Sequence, residues 1–213
     1  MILRCVLILC LACCCSAAEW RNLLEGRDLG QWEKIGDGLW SVTREGVLIG
    51  QRDLSKPEPK TNPNQSWLYT REEFGEFDLE LEYWTRHGGN SGVSIRDTSR
   101  ARTSFGEEAD RERTPSHIGY EIQISGGTGG KYPTGSIYLF EGAKPGGQIA
   151  DDWNKLEIES RNELIRVKLN GQVVAEHAGD PDRSKAGPIG LQLHDHHSIV
   201  MFRNIRIRPS TSQ

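Results

Sequence analysis

Three stretches of the chain set polar groups on one side of an alternating apolar pattern, where they could act together. In Gly119-Tyr120-Glu121-Ile122-Gln123-Ile124 the apolar residues alternate with Glu121 and Gln123. An extended chain puts that carboxylate and that amide on one face, a pair able to hold hydroxyl groups or to move a proton. In Leu191-Gln192-Leu193-His194-Asp195-His196-His197 the same alternation brings Gln192 and His194 together at a strand end. A histidine is the natural general base near neutral pH. Two histidines and an aspartate could instead bind zinc or another divalent ion, although no third ligand sits at a recognised spacing. In Asn90-Ser91-Gly92-Val93-Ser94-Ile95-Arg96, Val93 and Ile95 face a core, so Asn90, Gly92, Ser94 and Arg96 face away from it. An arginine fork among small residues leaves room for a carboxylate, a phosphate or a developing enolate oxygen; the bland alternative is an ion pair with a nearby glutamate.

Glu76-Phe77-Asp78-Leu79-Glu80 carries three carboxylates on one strand face. Two carboxylates about 5 Å apart would suit a retaining glycosidase. Glu82 continues the series, which favours a solvated outer face. His87, His117 and His177 are isolated and read as surface residues. The Gly126–Gly130 run follows one strand and precedes another, so it lacks the helix of an anion-binding loop. No nucleophile elbow and no dinucleotide fingerprint occurs.

The elements that must position these groups have a period of two. Phe77, Leu79, Leu81 and Tyr83 alternate with acidic residues; residues 153–159 and 164–169 form a further pair, and Asn170-Gly171 starts a tight hairpin. Residues 40–49, 189–193 and 200–207 supply more strands, and no window shows a helical stripe. Many short strands with Gly-rich turns predict an all-β, two-sheet sandwich. The longest irregular stretches, 51–66 and 97–117, are too long for idle connections and point to a binding site. A net charge of −4 without a basic block excludes nucleic-acid binding by phosphate neutralisation, and 36% hydrophobic content excludes wholesale disorder.

Residues 1–18 read as an export signal: Arg4, an apolar run from Cys5 to Cys15, then Ser16-Ala17-Ala18 as a cleavage site. That run is too short to span a bilayer. All five cysteines lie within it, so the mature chain is expected to carry no disulfide. Leu11-Ala12-Cys13 is roughly lipobox-like, which keeps a lipid anchor open as a second route. Either route places the protein in the periplasm or outside the cell.

Taken together, Leu24-Glu25-Gly26-Arg27-Asp28, Trp40-Ser41-Val42, Asn90 to Arg96, Tyr120 to Gln123, Thr134-Gly135-Ser136-Ile137-Tyr138, Trp153-Asn154, Leu169-Asn170-Gly171 and Gly187 to Gln192 followed by Phe202-Arg203-Asn204-Ile205 resemble the 3-keto-disaccharide hydrolase family over residues 19–208, leaving 209–213 as a tail. The resemblance implies a concanavalin A-like jelly-roll sandwich of two antiparallel sheets. It also implies action on glycosides whose sugar has been oxidised to a ketone at C3. Such a ketone acidifies the C2 hydrogen, so elimination across C1–C2 followed by hydration needs one base, one oxyanion stabiliser and one acid. Glu121 and His194 are the candidates for base and acid, in either order, and Arg96 for enolate stabilisation. Asn90, Ser94, Gln123, Gln192 and Tyr138 would bind the carbohydrate substrate. No definite cofactor is implied, a divalent metal stays open, and the oligomeric state is not fixed. A carbohydrate-binding module using Trp67, Trp84 and Tyr132 as stacking aromatics is the competing reading.

Overall fold

The computed structural model describes residues 18–56, 65–104, 109–127 and 129–210. The expected signal segment up to Ala17, with all five cysteines, lies outside the described residues. The fold is a sandwich of two antiparallel sheets, as the alternation predicts. One sheet has eight strands: β1 (Arg21–Asn22), β3 (Leu39–Val42), β4 (Leu48–Gln51), β6 (Phe77–Thr85), β9 (Asn154–Arg161), β10 (Leu164–Leu169), β11 (Gln172–His177) and β13 (Val200–Pro209). Its order is β11-β10-β9-β6-β13-β4-β3, with β1 on β13. The second sheet runs β2-β5-β12-β7-β8, from β2 (Trp32–Ile35), β5 (Ser66–Thr70), β12 (Ile189–Leu193), β7 (Asn90–Ile95) and β8 (Tyr120–Ser125).

The core lies between the sheets. Leu79, Leu81, Ile158, Val167, Phe202 and Ile207 of the large sheet meet Leu68, Val93, Ile95, Ile122, Ile124 and Leu191 of the small one, all essentially inaccessible to water. Burial of this alternating set is the main stabilising contribution.

The outer faces of the two sheets differ. On the large sheet it is a lattice of opposite charges. Asp78 meets Arg161 and Arg208 at 2.6 Å each. Glu80 meets Lys155 at 2.8 Å and also Arg206, and Glu82 meets Arg203 at 2.6 Å. The acidic series is therefore charge-paired on the outer face of the large sheet, on the other sheet from Glu121. On the small sheet even the outer face is buried: every residue of β5 and β12 is buried, and all of β7 after Asn90.

What covers that face is irregular chain. After β7, a segment folds back through 3₁₀ turns at Arg102–Ser104 and Arg111–Arg113 into a one-turn helix, α1 (Pro115–Ile118). Asp97 shapes its start by accepting hydrogen bonds from the Ser99 N–H and Oγ, the Ala101 N–H, and the Tyr69 hydroxyl at 2.7 Å. Ala101 then packs on Trp67 and Tyr69. The expected strand after the Gly126–Gly130 run is absent among the described residues. Instead 126–153 is a third irregular connection, tied to the sheet edge where Ile137 bridges Ile122 and Glu141.

Candidate active site

Strand register explains which side chains share the outer face of the small sheet. One row runs Glu33, Tyr69, Gly190, Ser94 and Glu121; beside it lie Ile35, Trp67 and Gln192, with Gly92 opposite Gln123. The glycines in these rows are requirements of packing. A Cβ at Gly190 would stand 2.4 Å from the Tyr69 ring, and one at Gly92 would stand 2.7 Å from the Glu121 carboxylate. Tyr69 and Glu121 therefore lie flat over bare backbone.

A cavity of about 320 Å³ opens above this face, within the usual range for small-molecule sites. Its floor is strand-borne: Glu121 and Gln123 from β8, Asn90 from β7, and His194 just past β12, with Gln65 at the start of β5. Its walls are irregular chain: Ser104, residues 109–111, Thr114, Ser116 and His117 on one side, Tyr138 and Leu139 on the other. Main-chain bonds from Tyr138 N–H to the Glu121 carbonyl (2.8 Å) and from Gln123 N–H to the Ser136 carbonyl (2.9 Å) hold the second wall against the free edge of β8. Gln123 Nε2 donates to Asn90 Oδ1 at 3.4 Å.

Glu121 is 6% exposed, and its carboxyl is pushed up to about 7. Burial is the chief cause, and the charge of Asp97 adds to it; the hydrogen bond from Ser116 opposes the rise. The Ser116 hydroxyl donates to Oε2 at 2.7 Å. Such a carboxyl takes up and releases protons near neutrality. Burial lowers the His194 pKa, against the pull of Asp195 and with help from Arg52. The ring, with its side chain 40% exposed towards the cavity, is a neutral imidazole at pH 7.

Of the residues expected at the site, Asn90, Glu121, Gln123, Tyr138 and His194 line one cavity. Gln192 and Ser94 lie beneath its floor, fully buried on the same sheet face. Arg96 requires correction. The strand ends at Ile95, and Arg96 takes a left-handed conformation with φ 60°, which stops the alternation. Its side chain is buried away from the cavity, and Nη2 donates to the Arg161 carbonyl at 2.5 Å. It is not available to an enolate oxygen. The stacking aromatic Trp67 is likewise fully buried, stacked on Tyr69 at 5.6 Å between ring centroids.

The His/Asp/His/His run does not converge. The Asp195 carboxylate accepts from the His197 and Ser198 N–H groups and from Ser198 Oγ, while His196 packs edge-on against His197. Among the described residues no three His, Cys, Asp or Glu side chains form a cluster able to hold a metal ion. Sequence reading also missed His117 and Ser116, which α1 delivers to the cavity wall. His117 Nδ1 shares a 2.7 Å hydrogen bond with Thr114 Oγ1. No periodic signal marks either residue, because loop closure places them.

The same sandwich occurs in solved structures. A protein of Parabacteroides distasonis, provisionally designated a glycosyl hydrolase, is 26% identical and superposes with a TM-score of 0.67 over 90% of this chain and 100% of its own. A carbohydrate-binding module of Bacillus subtilis (14% identity, TM-score 0.55, 84% of this chain and 95% of its own) shares the fold. So does a β-glucanase of Bacillus licheniformis (12% identity, TM-score 0.55, 92% and 99%). No protein of curated function matches the sequence. Residues 19–208, which carry both sheets and every residue of the cavity, match the 3-keto-alpha-glucoside-1,2-lyase-like domain, and the chain belongs to that family.

Proposed function

We propose that the cavity cleaves glycosidic bonds of 3-keto-glycosides by elimination followed by hydration. The observation that carries this reading is a single buried carboxyl, Glu121, poised near pH 7 at the floor of a sugar-sized cavity. Ordinary retaining hydrolysis needs two carboxylates about 5 Å apart; the other carboxylate lining the cavity among the described residues, Asp110, lies on the irregular wall, where it accepts from the Glu112 N–H and caps a 3₁₀ turn.

Ionised Glu121 removes the C2 proton, and the C–H electrons form the enolate across C2 and C3. The neutral His194 ring donates an N–H to the developing C3 oxyanion, the function first expected of Arg96. The enolate collapses: the C3 carbonyl re-forms, a C1–C2 double bond appears, and the C1–O bond breaks. The proton now on Glu121 is available to the departing oxygen on the neighbouring carbon. Water then adds its hydroxyl at C1 and its hydrogen at C2. Asn90, Gln123 and Tyr138 grip hydroxyls, while Ser116 orients the carboxylate.

Similarity to the Parabacteroides protein supports a carbohydrate-active role, and the signal-like N-terminus supports export. The test is release of free sugar from a 3-keto-disaccharide and from its unoxidised parent. Cleavage of the keto substrate alone, lost in Glu121→Gln, is the expected result. Equal cleavage of both would overturn the mechanism, and tight binding without turnover would favour a carbohydrate-binding module.

A further inference from the structure

Arg183 lies in the 178–188 connection, outside the cavity, yet both walls are tied to it. Its Nη1 donates to the carbonyl of Ser116 at 2.9 Å and to that of Gly119, carbonyls that a helix leaves open at its C-terminal end. The guanidinium lies 4.6 Å from the Phe140 ring centroid and 5.1 Å from that of Tyr120, within cation–π range. Asp180 Oδ2 stands 3.5 Å from Nε, and the side chain is only 15% exposed. Tyr120 precedes Glu121 on β8, and Phe140 follows the cavity residues Tyr138 and Leu139. A helix of four residues cannot maintain itself. The placement of Ser116 therefore depends on what grips it from outside.

We propose that Arg183 is a positioning residue: by clamping the carbonyls of Ser116 and Gly119 it fixes the Ser116 hydroxyl on Glu121 without touching substrate. This rests on the reading of Glu121 as the base. The groups around Glu121 are Ser116 from α1, Gln192 from β12, Asp97 beyond β7 and Tyr69 from β5, with His117 and His194 on the same cavity. Of these, Ser116 is the residue whose backbone Arg183 holds. Because Ser116 donates to the ionised form, losing its grip raises the proton affinity of Glu121.

The experiment is a ¹³C NMR titration of the Glu121 carboxyl, its resonance assigned by its disappearance in Glu121→Gln. Wild type, Ser116→Ala, Arg183→Ala, Arg183→Lys and the Ser116→Ala/Arg183→Ala double variant are compared. Ser116→Ala should raise the midpoint by about half to one pH unit. Each Arg183 variant should raise it by a comparable part, and the double variant no further than Ser116→Ala alone. Arg183→Lys keeps the charge but loses the planar guanidinium that lies over Tyr120 and Phe140 and holds Nη1 on the two carbonyls, so it decides the question if Arg183→Ala does not fold. The proposal is overturned if folded Arg183 variants titrate like wild type. It is equally overturned if their shift adds in full to that of Ser116→Ala, the outcome of merely losing a nearby charge. No substrate enters this titration, so failure to cleave a 3-keto-disaccharide would sink the proposed reaction and leave the Arg183 test readable.

Discussion

Gly92→Ala tests the placement of the base directly. The added methyl would stand 2.7 Å from Glu121 Oε1, 3.1 Å from Cγ and 3.3 Å from Cδ, where ordinary contact starts near 3.4 Å. The carboxylate must therefore yield by about 0.7 Å, and the sheet beneath it cannot move instead because Val93 is packed in the core. Misplacing a catalytic group by about 1 Å costs on the order of 100-fold in rate, whereas overpacking of one methyl costs about 1–3 kcal/mol in stability. The expected outcome is a folded protein, melting several degrees lower, whose kcat on a 3-keto-disaccharide falls about 30- to 100-fold with KM little changed. Gly75→Ala, where a Cβ meets nothing within 4 Å, is the matched control and should behave as wild type. Retention of kcat within about threefold in Gly92→Ala would refute the claim that Glu121 is held flat over residue 92 as the base.

The acid limb of kcat/KM should have its midpoint near 7, because the base must be ionised and its pKa is raised to that value; a midpoint near 4.5, that of an unperturbed carboxyl, would contradict the site. The raised folded-state pKa means that the native protein holds this proton between pH 4.5 and 7 more tightly than the unfolded chain, so this group's contribution to stability falls as pH rises through that window. Glu121→Gln should accordingly be inactive and gain stability over wild type at pH 8 but hardly at pH 5, by at most about 3 kcal/mol in denaturant titrations. His194→Ala should lower kcat by roughly 100- to 1000-fold while far-UV circular dichroism stays native. Glu80→Gln, which breaks pairs with Lys155 and Arg206 on the far face, should leave turnover within about twofold.

The period-two alternation carried most of what was legible in the sequence. It assigned Val93, Ile95, Ile122 and Ile124 to the core and put Glu121 with Gln123 on the opposite face, because a strand offers its side chains only two directions. It failed at Arg96, where one left-handed residue ends the strand, a feature that alternation does not encode. It also assumed that an outward face is a wet one. Trp67 and Tyr69 were hidden because Asp97 folds the following chain over them, a closure that depends on residues in two different elements. The 97–117 stretch, long for a connection, brings Ser104, Asp110, Arg111, Thr114, Ser116 and His117 to the cavity. The Gly-rich connection at 126–153 was misread as leading to a strand, since Ile137 and Tyr138 have strand character but pair only along one edge. His117 looked solitary in the sequence, and only the geometry of that closure brings it to the cavity.

The cavity divides its labour between two kinds of chain. Glu121 stands on a paired strand whose register is locked by the core and His194 directly follows another, while the walls are turns and a one-turn helix. Exchange of residues 109–113 would therefore alter which aglycone fits while Glu121 stays over Gly92 and Ser116 keeps its bond to the carboxylate. Such a scaffold can change the shape of its cavity by insertion and deletion in the wall residues that do not touch Glu121.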